Sequence, residues 1–83
     1  MESALDKLKT IDLDDGAAYI TTLKAVIDEV GFTDVEVSRI LGVSRPSLKR
    51  WWEGTHVCHP YLRAKLVELL AAEIAVRIKS NIN

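Results

Sequence analysis

The chain predicts an all-α fold, a small bundle of four to five helices, and three observations lead there. Apolar residues recur at three- and four-residue intervals, the period of a helix that buries one face. Side chains that cap helix starts (Asp14 or Asp15, Thr33, Ser44) alternate with glycines suited to ending them (Gly31, Gly42, Gly54). At 83 residues, the chain is long enough for one hydrophobic core and too short for two.

Residues 2–9 have helical character, but Thr10 to Asp15 interrupts them, and so short a helix is marginal in water on its own. Residues 1–13 are therefore expected to be a weakly ordered N-terminal segment, with the folded domain over 14–79. From the cap at Asp14 or Asp15, Ile20, Leu23, Ile27 and Val30 share one stripe of a helix that closes at Gly31. Thr33 and Glu36 stand three apart, the spacing of a capping box, with Phe32 placed to staple it. The short helix that follows turns Val37, Ile40 and Leu41 inward and stops at Gly42. Ser44 caps the next helix, Pro46 occupies a first-turn position where its missing amide hydrogen costs nothing, and Leu48 and Trp51 supply the apolar face. Trp52 is suited either to the edge of the core or to partial exposure. A last helix starts near Pro60 and runs to about Lys79 with two apolar stripes, more than one small core needs. Its second stripe, including Val67, Ala71, Ile74 and Ile78, is the expected dimer interface, the alternative being closure over the first long helix within a monomer.

Net charge is −1, but the charge is divided along the chain. Residues 1–36 carry three Lys and nine Asp or Glu, net −6; residues 37–83 carry eight Lys or Arg and three Glu, net +5. A basic face can thus meet a polyanion while the acidic half points away. On the helix after Ser44, Arg45, Ser47, Lys49 and Arg50 are all hydrogen-bond donors and none is acidic. Arginine can donate two bonds to guanine O6 and N7, which makes Arg45 and Arg50 candidate base readers. The helix N-termini at Thr33 and Ser44 present amides suited to phosphate oxygens, and Ser47, Thr55 and His56 are further candidate phosphate donors; such contacts position a protein on a duplex without reading sequence.

The segment TDVEVSRILGVSRPSLKRWWEG, residues 33–54, resembles the helix-turn-helix of the Cro and phage-repressor (XRE-like) family. The likeness spans about residues 17–70 and rests on Thr33, Glu36, Val37, small Ser38, Gly42, Val43, Ser44, Leu48 and Gly54. It implies a lambda-repressor-like fold whose second motif helix enters the major groove, with Arg45, Pro46, Lys49 and Arg50 at the base-reading positions. Two residues depart from the family pattern: Asp34, where a phosphate-binding Gln is common, and Trp52, where Glu is common. The resemblance implies a homodimeric regulator of double-stranded DNA, such as a phage or prophage repressor acting at a palindromic operator.

Other chemistries find little support. His56, Cys58 and His59 lack a second ligand pair at zinc-finger spacing, so no metal is expected. No Gly-rich phosphate loop, paired carboxylates or nucleophile with a base points to an enzyme or a cofactor. The lone Cys58 reads as a packing residue in a protein that needs no oxidising compartment. The charged opening and the want of a long apolar run lead to the expectation of a cytoplasmic protein without a membrane partner. The alternative reading is a helical protein-binding module, an adaptor or inhibitor docking through its apolar last helix.

Overall fold

Local capping chemistry divides the chain into its helices. The computed structural model describes residues 2–81, which form α1 (Glu2–Lys9), α2 (Gly16–Val30), α3 (Asp34–Leu41), α4 (Arg45–Glu53) and α5 (Pro60–Asn81), with no strand among them. The Asp15 carboxylate accepts the amides of Ala17 and Ala18, each at 3.1 Å. Thr33 and Glu36 form the complete capping box, and the Ser44 hydroxyl accepts the Ser47 amide. At Gly42 the backbone takes φ 67°, a left-handed conformation that a Cβ would strain, and this allows α4 to start shortly after α3 ends.

The N-terminal segment differs from the expectation of weak order. Ala4 and Leu8 are buried, and α1 packs against both α2 and α5. Lys7 reaches Glu29 of α2 at 3.0 Å. The interruption at 10–15 is itself a structured turn, in which the Asp12 carboxylate accepts the amides of Asp14 and Asp15. A helix too short to persist alone is held here by tertiary burial. The radius of gyration, 12.2 Å, is close to the roughly 12 Å of a compact chain this long, so α1 belongs to the same globule.

The core joins Tyr19, Leu23, Val26 and Ile27 of α2 to Val37 and Leu41 of α3, Leu48 and Trp51 of α4, and Leu66, Leu70 and Ile74 of α5. On α5 the buried stripe is Arg63, Leu66, Leu70 and Ile74. This corrects the assignment of Ile74 to an interface between copies: it is 0% exposed within a single chain and has no surface to offer. Val67, Ala71 and Ile78 also pack against the core but stay half-buried.

Arg63, a charged residue, is only 5% exposed. Its Nε donates to the Cys58 carbonyl at 2.9 Å, and its Nη1 to the carbonyls of Leu13 at 2.8 Å and Asp14 at 3.3 Å. Its own carbonyl accepts from the Tyr19 hydroxyl at 2.8 Å. One side chain thereby joins the α1–α2 loop, the α4–α5 loop and α5. Among the described residues no buried side-chain nitrogen or oxygen lacks a partner. Burial, which disfavours the phenolate, raises the pKa of Tyr19.

Gly16 makes room for this clamp. A Cβ there would lie 2.9 Å from Arg63 Nη2 and 3.1 Å from Val57 Cβ, and the guanidinium cannot retreat without breaking its bonds. Gly16→Ala is expected to destabilise the protein by about 1–3 kcal/mol, although the same change in an unhindered helix stabilises. A thermal melt that rose for this variant would contradict the close packing.

At the other end of α5, Arg77 pairs with Glu36 and lies 4.2 Å over the Phe32 ring, tying the capping box of α3 to the last helix. The Thr33 backbone amide, followed by the Arg77 guanidinium, holds the Glu36 carboxyl below its ordinary 4.5. The hydrogen bond from Lys7 lowers that of Glu29. Both groups are more acidic folded than unfolded, so their stabilisation is complete above about pH 4.5 and is lost as pH falls through the depressed values. Melts followed by circular dichroism should show Tm falling as pH drops below about 4.5, and Glu36→Gln should flatten that fall.

No helix among the described residues is long and apolar enough to cross a membrane.

Candidate nucleic-acid interface

The relation of α3 to α4 is set by Ser38. Its carbonyl accepts the amides of Gly42 and Val43, and its hydroxyl donates to the Val43 carbonyl at 2.6 Å, so one small residue ties the turn at two points. Size alone suggests Ser38 as a helix contact; the hydrogen bonds are a second reason for a serine there. Leu48 and Trp51 then anchor α4 to the core, at 1% and 8% exposure.

With that face fixed, helical periodicity turns Arg45, Pro46, Lys49 and Arg50 to solvent, and all four are exposed. Ion pairs lie elsewhere: Lys7 with Glu29, Lys24 with Asp28, and Arg77 with Glu36 and Glu73. Among the described residues no carboxylate pairs with Arg45, Lys49 or Arg50. Positive charge on this face is therefore not neutralised by a direct ion pair among the described residues.

The five candidate phosphate donors prove unequal. The Thr33 hydroxyl donates to Glu36 Oε1, that of Ser44 to Ser47 Oγ, and that of Thr55 to the Arg50 carbonyl. Their single hydroxyl hydrogens are committed internally, so at the Thr33 and Ser44 helix starts only backbone amides are left to meet a phosphate oxygen. The Ser47 amide donates to Ser44 Oγ, but its hydroxyl accepts from Ser44 and donates to no described residue, so that hydrogen can point outward. His56 is exposed, with Nδ1 3.3 Å from Thr55 Oγ1 and Nε2 unengaged in any described contact.

Trp52 combines the two roles open to it. It packs against the core, edge-on to Trp51 with ring centroids 6.4 Å apart, and the Lys24 ammonium lies 5.6 Å from its ring centre. It also lines an open groove of about 630 Å³ with Asp34, Arg45, Pro46 and Lys49. Nothing in the spacing of Asp34 and Arg45 along the chain signals that they share a concavity. Cys58 is buried and its thiol is pushed up by desolvation, away from the reactive thiolate form. His56 and His59 are exposed on either side of it, and among the described residues no three His, Cys, Asp or Glu side chains gather where a metal could sit.

No protein-family model, curated protein or solved structure matches the chain.

Proposed function

We propose that the protein is a sequence-specific regulator of transcription that binds double-stranded DNA through α4, acting as a repressor at a palindromic operator. The observation that carries this reading is the state of Arg45, Lys49 and Arg50: exposed, without ion-pair partners among the described residues, and on a helix whose opposite face is locked into the core. A free array of donors on a rigid helix suits the major groove, where arginine pairs with guanine. The residues shared with the Cro and phage-repressor motif favour the same reading, and an origin in a phage or prophage regulator is part of it. The reading includes a homodimer, because the few base contacts of one α4 specify too little sequence and a twofold pair reads two half-sites. Val67, Ala71 and Ile78 retain partial exposure for that contact. The protein would work in the cytoplasm, without a cofactor and without catalysis.

The test is selection of bound sequences from random duplexes, followed by salt titration of the best site. Affinity should fall steeply with salt, as expected when several phosphates are neutralised. Arg50→Ala should relax preference at one base pair, while Ser47→Ala should weaken binding to all duplexes alike. Thr55→Ala should have the smaller effect, its hydroxyl being committed to Arg50.

A second reading, a protein-binding module, is favoured by one feature: Val57, Tyr61, Leu62 and Val76 are exposed, Tyr61 at 89%. Such a module would select no duplex sequence and show no salt response of this kind.

A further inference from the structure

We infer that Asp34 is a specificity-determining residue of the DNA-binding face, selecting a cytosine in the major groove beside the base read by Arg45 or Lys49. This rests on the proposed role of α4 and deepens it.

Asp34 is exposed and lines one groove with Arg45, Pro46, Lys49 and Trp52, so it borders the surface that carries the cationic side chains. It forms no ion pair with either cation across that groove or with any other described residue. It is not needed as a cap, because the Thr33 hydroxyl takes the Glu36 amide and the Glu36 carboxylate takes the Thr33 amide. Interaction with the α3 dipole favours an acid in this turn, but it does so for Glu36 as well. What separates Asp34 from Glu36 is its place: Glu36 is held by Arg77, and Asp34 faces α4.

A carboxylate can only accept hydrogen bonds. At the major-groove edge, guanine presents N7 and O6 and thymine presents O4, all acceptors, so either base leaves two acceptors facing each other. Adenine offers an amine, but beside the acceptor N7. Cytosine offers its N4 amine with an acceptor, the paired guanine O6, on one side only, whereas adenine's amine lies between N7 and the thymine O4, so cytosine is the base a carboxylate favours most. Repulsion from the duplex phosphates is moderated by Arg45 and Lys49, which line the same groove and can donate to guanine in the same or the adjacent pair.

The test compares sequences selected from random duplexes by the wild type, Asp34→Ala and Asp34→Asn, with circular dichroism to check folding; Asp34 is exposed, so both variants should fold. The wild type should prefer cytosine at one position by about 5- to 150-fold, the range of one well-made base contact. Asp34→Ala should lose preference at that position and keep the rest of the site. Asp34→Asn, whose amide can bond N6 and N7 of adenine, should shift the preference from cytosine to adenine. An unchanged base pattern in both variants, or a uniform gain in affinity for every duplex, would overturn the inference while leaving DNA recognition by α4 intact. If the wild type selects no sequence at all, the proposed function itself fails.

Discussion

Arg63→Ala is expected to be among the most damaging single substitutions in this protein, lowering stability by about 3–5 kcal/mol. Its guanidinium is buried and bonds three loop carbonyls, at Cys58, Leu13 and Asp14. Truncation leaves those acceptors without their donor and opens a void next to Gly16 and Val57. For a domain of this size the loss corresponds to a fall in Tm of about 12 °C or more. Arg63→Lys should recover only a minor part, because one ammonium cannot bond the Cys58 and Leu13 carbonyls in two directions as the planar fork does. Tyr19→Phe, which removes the hydroxyl bonded to the Arg63 carbonyl, should cost about 1 kcal/mol and serves as a scale for a single neutral bond. Denaturant titration decides the matter: if Arg63→Ala costs no more than Tyr19→Phe, the clamp does not hold the loops together.

The second large effect concerns binding. Replacing Arg45, Lys49 and Arg50 together by Gln should leave the fold intact, since all three are exposed and make no ion pair among the described residues. Each such surface change is worth within about 0.5 kcal/mol of stability. If α4 reads DNA as proposed, affinity for the selected duplex should fall about 30-fold or more, because two bidentate arginine contacts would contribute about 1–3 kcal/mol each. The slope of log affinity against log salt should become shallower by about one for each phosphate that is no longer neutralised. Melting curves that match the wild type, together with unchanged binding at every salt concentration, would remove α4 from the interface. Electrophoretic shift or anisotropy measurements across a salt series read both quantities.

Much of the fold is legible in the sequence because helix punctuation is local. A cap such as Thr33 with Glu36, or a stop such as Gly42, involves atoms within a few residues, and the spacing already implies the contact. The same holds for the candidate site: with Leu48 and Trp51 in the core, helical geometry requires Arg45, Lys49 and Arg50 to face outward. α1 is harder to read, because its order comes from α2 and α5 and not from its own propensity. On α5 a period-based signal for Arg63 exists: it stands three residues before Leu66 on the stripe that continues to Leu70 and Ile74. An arginine on an apolar stripe is ordinarily placed at its edge, and nothing near it in sequence indicates that the carbonyls of Leu13 and Asp14 will meet it.

Spacing along the chain is enough to locate the starts and ends of the four later helices, to assign the apolar face of each short helix, and to set a cationic row opposite Leu48 and Trp51. It does not say which apolar stripe of α5 is buried, that Ile74 belongs to one chain's core, that Arg63 and Arg77 fasten the two ends of that helix, or that Asp34 meets α4 across a groove; these come from the packed fold. The division follows the range of the forces involved. Capping bonds and helical periodicity act over three or four residues and are written in spacing, whereas burial and the satisfaction of a distant carbonyl depend on which segments the closed core brings together.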